Sequence, residues 1–216
     1  MSDVWSERAE AFRESPTHRE GPDLDLLVEW CEPGKDVKVL DVATGGGHVA
    51  RRLRAEGCTV ISVDPAPGMQ PDAVARAEDL PFEDGSFDVV TSRIAPHHFS
   101  DIDRAVEEMA RVTQRLVVIE DNLYVSDQAE EAERLRDPTH VRCYSEDEWK
   151  EMLSDVGLEV EQAQVFERRR SVEDWLARVE TPEPDVARVR ELLADWIEEG
   201  ELSLPAIVIK ARRSRT

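Results

Sequence analysis

The sequence predicts an α/β fold with a mostly parallel sheet, and three features support this prediction. Short β-rich runs recur along the 216 residues, segments with helical spacing lie between them, and the first run leads into a glycine-rich turn. A chain of this length is expected to form one domain, residues 1–216. The β-rich runs are VKVLDV (37–42), TVISV (59–63), FDVVTS (87–92), RLVVI (115–119), LEVEQAQVF (158–166) and PAIVIKA (205–211).

The segments between these runs contain signals for helix starts and ends. HVARRLRAEG has its apolar residues on one face and ends at Gly57, a common residue after a helix. Ser100 can cap a helix over DIDRAVEEMARV, in which the apolar residues follow helical spacing. In SEDEW, Ser145 and Glu148 form the pattern of a capping box.

Two regions lie outside the alternation of strands and helices. Residues 3–13 and 23–30 predict helices joined by a linker, and two further helices are predicted before the last strand. Binding lids usually lie in long connections at strand ends. The predicted regions are an N-terminal helical lid (1–34), a cofactor-binding core (35–166), a helical insertion (167–201), and the last strand with a tail (202–216).

Charge and composition exclude several classes of partner. The formal net charge is -21, and a field of this sign repels nucleic acid and anionic membrane surfaces. Cys31, Cys58 and Cys143 lie far apart without a C-x-x-C pair, so neither a disulfide framework nor a metal site is expected. No signal-peptide pattern and no apolar run of bilayer length occur. We expect a cytoplasmic protein that acts on a small molecule, and a homodimer is compatible with this sequence.

The stretch VLDVATGGGHVA places a glycine turn between a strand and a helix. Glycine permits a positive φ and lets a ligand approach the backbone closely. Gly45, Gly47 and Ala50 satisfy the G-x-G-x-x-G/A pattern, and Asp64 ends the second strand nearly twenty residues later. An acid at that position accepts hydrogen bonds from ribose hydroxyls, so the pattern alone allows either a dinucleotide or another nucleoside cofactor.

Asp41 favours one of these two cofactor classes. A carboxylate four residues before the first glycine faces the space of a pyrophosphate, which it would repel, and it suits an ammonium group. S-adenosylmethionine has an ammonium and a sulfonium and no phosphate. An NAD-dependent oxidoreductase therefore stays only as a less favoured alternative.

These motifs resemble the class I S-adenosylmethionine-dependent methyltransferases, in the small-molecule branch (methyltransferase type 11) that includes quinone C-methyltransferases. VLDVATGGGHVA is similar to that family's first motif, ISVDPAPGM to its ribose-binding strand end, and ARAEDLPFEDGSFDVVTSRIAPHHF to its adenine and fourth-strand motifs. RDPTHVRCYSEDEWKEMLSDVGLEV resembles a subgroup of uncharacterised bacterial members. The resemblance implies a Rossmann-like, doubly wound sheet of seven strands, in which the last strand inserts antiparallel.

The resemblance also implies which residues bind the S-adenosylmethionine. The methionine end would lie at the glycine loop, the ribose at the second strand end, and the adenine along the motif ARAED. The implied cofactor-binding residues are Asp41, Ala43, Gly45, Gly47, Asp64, Met69, Ala77, Glu78 and Arg93.

The chain departs from the family pattern in two places. Residues 64–72 leave room for one turn and contain three prolines, so the third helix is expected to be missing or shortened. Arg76 stands where the family usually has an aspartate, which removes an expected acceptor for the adenine amino group. These departures leave open a non-catalytic or regulatory protein that has kept the methyltransferase fold.

Methyl transfer from a sulfonium is an in-line displacement that needs alignment and a dry site, with a base only for a protonated nucleophile. His97 and His98 follow the fourth strand and are candidate catalytic bases, although simple packing explains either one equally well. His140 and Arg142 are candidate substrate residues, and Arg142 could hold a carboxylate or form a surface ion pair. His18 could close over the cofactor with the N-terminal helix.

The run ERRRS (167–171) is a small basic island in an acidic chain. We expect it to be a solvated edge paired with acidic residues rather than an anion site.

Overall fold

The computed structural model describes residues 4–214, so residue 3 of the first predicted helix and residues 215–216 of the predicted tail lie outside the described residues. The helices are α1 (Val4–Glu7), α2 (Ala9–Glu14), α3 (Pro16–Arg19), α4 (Pro22–Trp30), α5 (His48–Ala55), α6 (Ile102–Val112), α7 (Asp127–Arg136), α8 (Glu146–Asp155), α9 (Val172–Ala177) and α10 (Glu183–Leu192). The strands are β1 (Lys38–Val42), β2 (Thr59–Asp64), β3 (Ala73–Val74), β4 (Phe87–Arg93), β5 (Thr113–Asn122), β6 (Leu158–Ser171), β7 (Ile197–Glu198) and β8 (Glu201–Arg213). Short 3₁₀ turns span Pro67–Met69, Pro96–His98 and Ala194–Trp196.

Within the described residues, the strands form one sheet in the order β3-β2-β1-β4-β5-β8-β6, with β7 paired to β8. Strands β1 to β5 are parallel to one another, and β8 runs antiparallel between β5 and β6. The prediction of a mostly parallel, Rossmann-like sheet with an antiparallel last strand is confirmed. The two-residue strand β7 was not predicted and forms a hairpin with the start of β8.

Helices cover both faces of the sheet, so both sides of β1 are buried. Val39 packs with Leu53 of α5 on one face. The next residue, Leu40, packs with Met109 of α6 and Trp149 of α8 on the other face. This alternation follows from the two-residue period of a strand, and it explains why the central strands are continuous apolar runs.

The connection from β2 to β3 confirms the predicted shortened crossover. Residues 65–72 contain one 3₁₀ turn in place of a helix. Asp72 closes this short connection, since its carboxylate accepts hydrogen bonds from the Ser62 backbone N–H at 2.8 Å and from Arg54 at 2.6 Å. The short crossover keeps the end of β2 open towards the glycine loop.

The helix caps agree with the sequence at α8 and differ at α6. Ser145 and Glu148 form the predicted capping box. The predicted cap of α6, Ser100, is wrong, because the Asp101 carboxylate accepts the Arg104 N–H at 3.0 Å. Ser100 instead donates to Glu78.

Helix α7 was not predicted from the sequence. It buries the charged residues Glu130, Glu133 and Arg136. Its buried face therefore lacks the apolar stripe with helical spacing that identifies a helix in a sequence. With α9, α10 and β8 it forms a separate hydrophobic cluster beside the main core.

Two short helices, α1 and α2, replace the one predicted over residues 3–13, and a third, α3, lies in the predicted linker. Helix α1 ends before Arg8, and α3 begins at Pro16. The predicted helix over residues 23–30 is confirmed as α4, which packs against the sheet. No helix of the described residues combines the length and the apolar character that crossing a membrane requires.

Candidate functional site

The glycine loop joins β1 to α5 at the carboxyl end of the sheet. Gly45 and Gly47 have φ values of 50° and 73°, a region that side-chain-bearing residues rarely adopt. Gly46 meets the N-terminal segment, because a Cβ built on it would lie 2.9 Å from the Phe12 carbonyl oxygen. The loop therefore depends on glycine both for its conformation and for the approach of the neighbouring chain.

Two carboxylates lie at the ends of neighbouring strands beside this loop. Asp41 is 1% exposed and Asp64 is 6% exposed. The Thr44 hydroxyl donates to Asp41 at 2.5 Å, and the Gly45 and Ala66 backbone N–H groups donate to Asp64 at 3.0 and 2.9 Å. Among residues 4–214, no ion pair includes Asp41.

Burial governs the ionisation of Asp41. Removal from water raises the pKa of its carboxyl from 3.8 to about 6, and the nearby Asp64 charge adds to this rise. A buried carboxylate without a cation is costly, so this position favours a positively charged ligand.

The loop, the two carboxylates and the N-terminal helices enclose a pocket of about 1170 Å³, measured out to the solvent. We call it the glycine-loop pocket. Nine of the predicted site residues line it: Asp41, Ala43, Gly45, Asp64, Met69, Ala77, Glu78, Arg93 and His98. Gly47, His97, His140 and Arg142 do not line it.

The N-terminal helices form one side of this pocket. Trp5, Phe12 and His18 line it, and the sequence had singled out only His18. His48 fastens this segment, because its Nδ1 accepts from Arg51 and its Nε2 therefore donates to the Phe12 carbonyl at 3.0 Å. The N-terminal segment thus contacts the glycine loop and the start of α5.

The opposite side of the pocket contains the motif ARAED. Glu78 accepts hydrogen bonds from the Ser100 backbone N–H at 2.9 Å and from Arg76 at 3.0 Å. Arg76 also donates to the Ser100 hydroxyl at 2.8 Å. Arg76, which stands in place of the aspartate usual in this motif, therefore links Glu78 to the loop after β4.

Arg93, at the end of β4, links the sheet to the N-terminal segment. Its guanidinium donates to the Glu120 and Asp23 carboxylates and, at 2.9 Å, to the His18 carbonyl oxygen. All three of its nitrogens are engaged in these contacts, so Arg93 holds the N-terminal segment against the sheet.

His97 and His98 lie in the turn after β4, with ring centroids 4.2 Å apart. His97 is buried, and its Nδ1 lies 2.5 Å from Asp121, which also accepts its backbone N–H at 2.8 Å. Burial lowers the pKa of His97 and raises the pKa of Asp121 to about 7. The imidazole is therefore neutral, with its Nδ1–H directed at the carboxylate.

His98 contacts the N-terminal segment, with its ring centroid 4.7 Å from that of Trp5. Its Nδ1 lies 3.1 Å from the Thr139 carbonyl oxygen. A carbonyl only accepts, so Nδ1 carries the proton and Nε2 has a free lone pair. Burial and the neighbouring His97 lower the pKa of His98, and the ring is neutral at pH 7.

His140 and Arg142 lie apart from the glycine-loop pocket. His140 is buried, with Nε2 at 3.1 Å from the Glu130 carboxylate. Arg142 is exposed, pairs with Glu148 and lies over the Tyr144 ring. Their predicted substrate roles stay predictions that the geometry of this conformation does not favour.

A second cavity of about 420 Å³ adjoins the first. The two cavities share the residues Phe12, His18, Ile94 and His98. Arg136, Arg168, Arg170 and Arg178 also line the second cavity, which we call the arginine cavity.

The expectation of a solvated ERRRS edge is wrong, whereas its pairing with acidic residues is confirmed for Arg168, which contacts Glu120 and Asp23. Arg168 and Arg170 belong to β6 and are 6% and 7% exposed, whereas Arg169 between them is exposed. The two-residue period of the strand places the outer two arginines of the run on the buried face. The predicted strand ended at residue 166. Extending it to residue 171 would have placed Arg168 and Arg170 on the same face of the strand from the sequence alone.

Comparison with known proteins shows the family of this chain. A family profile described as a methyltransferase domain matches residues 40–118. The uncharacterised methyltransferase YcgJ of Bacillus subtilis is 32% identical over 200 residues, which cover 82% of this chain and 79% of that protein. The chain belongs to the class I S-adenosylmethionine-dependent methyltransferase family.

Solved structures show the same fold for this methyltransferase. The crystal structure of YcgJ from Bacillus subtilis superposes with a TM-score of 0.81 at 28% identity, over 90% of this chain and 99% of that one. A methyltransferase in complex with the Trm112 activator from Haloferax volcanii gives a TM-score of 0.73 at 20% identity, over 100% of this chain and 99% of that chain, and shows the fold alone. A demethylmenaquinone methyltransferase of Thermus thermophilus is 38% identical over 116 residues, which cover 45% of this chain and 51% of that protein.

Proposed function

We propose that this methyltransferase transfers the methyl group of S-adenosylmethionine to a small organic acceptor by in-line displacement. The observation that supports this proposal best is Asp41, a buried carboxylate beside the glycine loop with a raised pKa and no ion pair among the described residues. An ammonium group placed against it would restore the charge balance of the site.

The residues around the pocket fit the proposed cofactor. Asp41 would face the ammonium, and Asp64 would accept from the ribose hydroxyls. Met69 and Phe99 supply apolar surface for a base, since both are buried and line the pocket. A pocket that is apolar on one side and has carboxylates at the other end suits a nucleoside with a cationic tail.

S-adenosylmethionine supplies a methyl group on a sulfonium, which leaves as a thioether when a nucleophile attacks in line. The residues of this chain position the partners and exclude water. The N-terminal helices cover the pocket through Trp5 and Phe12, and Arg93 anchors this lid to the sheet. Orientation in a closed site of this kind contributes roughly 7–11 kcal/mol to barrier lowering.

His98 is placed to take a proton from the acceptor. It lines both cavities, is neutral at pH 7, and has a lone pair on Nε2. His97, which Asp121 holds through Nδ1, packs against it and keeps the turn in place. A phenol or an activated carbon acid would lose its proton to Nε2 as its oxygen or carbon forms the new bond to the methyl group.

The test is calorimetric titration of the purified protein with S-adenosylmethionine and with S-adenosylhomocysteine. Asp64→Ala should weaken the binding of both by about 1–3 kcal/mol, because hydrogen bonds to a charged acceptor are lost. Asp155→Ala, an exposed aspartate at the end of α8, is the matched control and should bind as the wild type does.

Binding that is equal in all three proteins would refute the placement of the ribose at Asp64. Failure of the wild type to bind either nucleoside would refute the proposed activity. That result would favour the non-catalytic alternative that Arg76 and the short crossover left open.

A further inference from the structure

The arginine cavity adjoins the glycine-loop pocket, and His98 lines both. Its lining contains four arginines and a single carboxylate, that of Asp137, within the described part of the chain. Asp137 is already engaged, since it accepts from Arg8 at 3.1 Å and from the Thr139 hydroxyl at 2.7 Å. A chain with a formal net charge of -21 therefore has a cavity of the opposite sign beside its candidate base.

Two of the four arginines are balanced by neighbouring residues. Arg136 donates to Glu133 at 3.3 Å and to the Trp175 carbonyl oxygen at 3.2 Å. Arg168 donates to the Asn122 side chain at 2.8 Å and to the Glu120 carboxylate. These contacts hold both guanidinium groups in fixed positions.

Arg170 has no comparable partner. It is 7% exposed, and neither its Nε nor its Nη2 forms a hydrogen bond with any described residue. The one carboxylate oxygen within reach, on Glu133, lies 4.0 Å from Nη2, and that residue already accepts from Arg136. Desolvating a cation without pairing its donors is unfavourable, and an anion in the cavity would remove this penalty.

Arg178 adds a second cation without a carboxylate. Its Nη2 donates only to the Thr17 hydroxyl, at 3.3 Å, and no ion pair within residues 4–214 includes it. The positive field acts on His18, whose pKa is lowered first by burial and then by Arg178, Arg93 and Arg168. The arginines in the lining and the lowered pKa of His18 thus both indicate a positively charged cavity.

We propose that the arginine cavity binds a carboxylate of the methyl acceptor, with Arg170 and Arg178 as its principal contacts. This inference rests on the proposed function, because it places the acceptor between the arginines and the glycine-loop pocket. A carboxylate is favoured over a phosphate because the cavity is small and Trp175 lines it beside the arginines. A planar guanidinium pairs with a planar carboxylate through two parallel hydrogen bonds.

The shared lining residues define the rest of the acceptor. Its carboxylate would lie at the arginines, its body would pass Phe12 and Ile94, and its nucleophile would reach His98. The substrate class is therefore a small, partly apolar organic acid with a methylatable oxygen or carbon at the end remote from the carboxylate.

The experiment uses the full chain saturated with S-adenosylhomocysteine. Benzoate, phenylacetate and succinate are titrated by calorimetry, each beside its uncharged amide, and inorganic phosphate is titrated separately. We expect at least one carboxylate to bind about tenfold or more tightly than its amide, because the hydrogen bonds are charge-assisted.

Variants assign this preference to the cavity. Arg170→Met should abolish it while leaving the affinity for S-adenosylhomocysteine unchanged, and Arg178→Met is a second variant should the first fail to fold. Arg169→Met, on the exposed face of the same strand, is the matched control and should keep the preference. Glu133 still accepts from Arg136 in Arg170→Met, so no buried carboxylate loses its last cation and the fold is not expected to be destabilised.

Equal binding of acids and amides would overturn the proposal, as would a preference that survives in both variants. Binding of phosphate without any carboxylate would also overturn it. If the protein binds no S-adenosylhomocysteine, the same titrations without it separate the two ideas. A carboxylate preference that depends on Arg170 would then stand while the proposed activity fails.

Discussion

Replacing Asp41 by asparagine removes one buried charge and keeps the size of the side chain. The Thr44 hydroxyl can still donate to the amide oxygen, so the local hydrogen bond is retained. Any change in cofactor affinity or stability therefore reports on the charge. Asp36→Asn is the matched control, since Asp36 is exposed in the turn before β1 and asparagine tolerates its positive φ.

The stability effect follows from the direction in which folding moves the pKa. Folding raises the pKa of Asp41 from 3.8 to about 6, so the folded state binds the proton more tightly than the unfolded state. The carboxyl contributes most to stability at low pH, and this contribution is lost as the pH rises through the interval between those values. At pH 7 the ionised group costs roughly 3 kcal/mol, because a tenfold difference in proton affinity between the two states corresponds to about 1.4 kcal/mol.

The effect on ligand binding has the opposite sign. An ammonium about 4 Å from a carboxylate gains about 4 kcal/mol at an effective dielectric constant of about 20, and part of this offsets desolvation. We expect Asp41→Asn to weaken S-adenosylmethionine binding by about 2–4 kcal/mol, on the order of a hundredfold. Wild-type affinity should also fall as the pH drops below about 6, whereas the affinity of the variant should not change in that window.

Calorimetry at several pH values and thermal unfolding at pH 5 and pH 8 measure both effects. The variant should be more stable than the wild type by about 3 kcal/mol at pH 8 and by roughly half of that at pH 5, where the carboxyl is ionised in the unfolded state and mostly protonated in the folded state. An unchanged affinity for S-adenosylmethionine would refute the contact between Asp41 and the ammonium. A stability difference independent of pH would refute the account of its buried charge.

Three further predictions concern the lid, the candidate base and a helix cap. Gly46→Ala should displace the N-terminal helices, because its Cβ would lie 2.9 Å from a lid carbonyl oxygen, and faster proteolysis of that segment checks this. Gly34→Ala, with 3.8 Å of clearance, should not alter the cleavage rate. His98→Gln should keep cofactor affinity and reduce turnover of a protonated acceptor by roughly 10²–10⁴, and equal turnover would exclude it as the base. Asp101→Ala should lower the free energy of unfolding by about 0.5–2 kcal/mol in denaturant titrations, and a larger loss for Ser100→Ala would contradict the observed cap.

The sequence predicts the centre of this molecule better than its periphery. The alternation of strands, the glycine turn and Asp64 follow from local rules of periodicity and backbone geometry, and they specify the glycine-loop pocket. Helix α7 escapes these rules because it buries charged residues. Arg170 was missed for a related reason. A charged residue is assigned to the surface by default, and the predicted sixth strand ended before Arg170.

Asp41 and Asp64 lie in one cavity and four arginines line the other, and this arrangement bears on the reaction. Carboxylates surround the place proposed for the cation, and arginines surround the place proposed for the acceptor's own anion. Each charged end would be neutralised where it binds, so the region around His98 between them needs no fixed charge. In a site closed by the lid, a nucleophile deprotonated there would be poorly solvated and reactive towards the methyl group. Substituting the arginines should therefore change the KM for the acceptor, whereas substituting His98 should change kcat, and that separation is the kinetic signature of this arrangement.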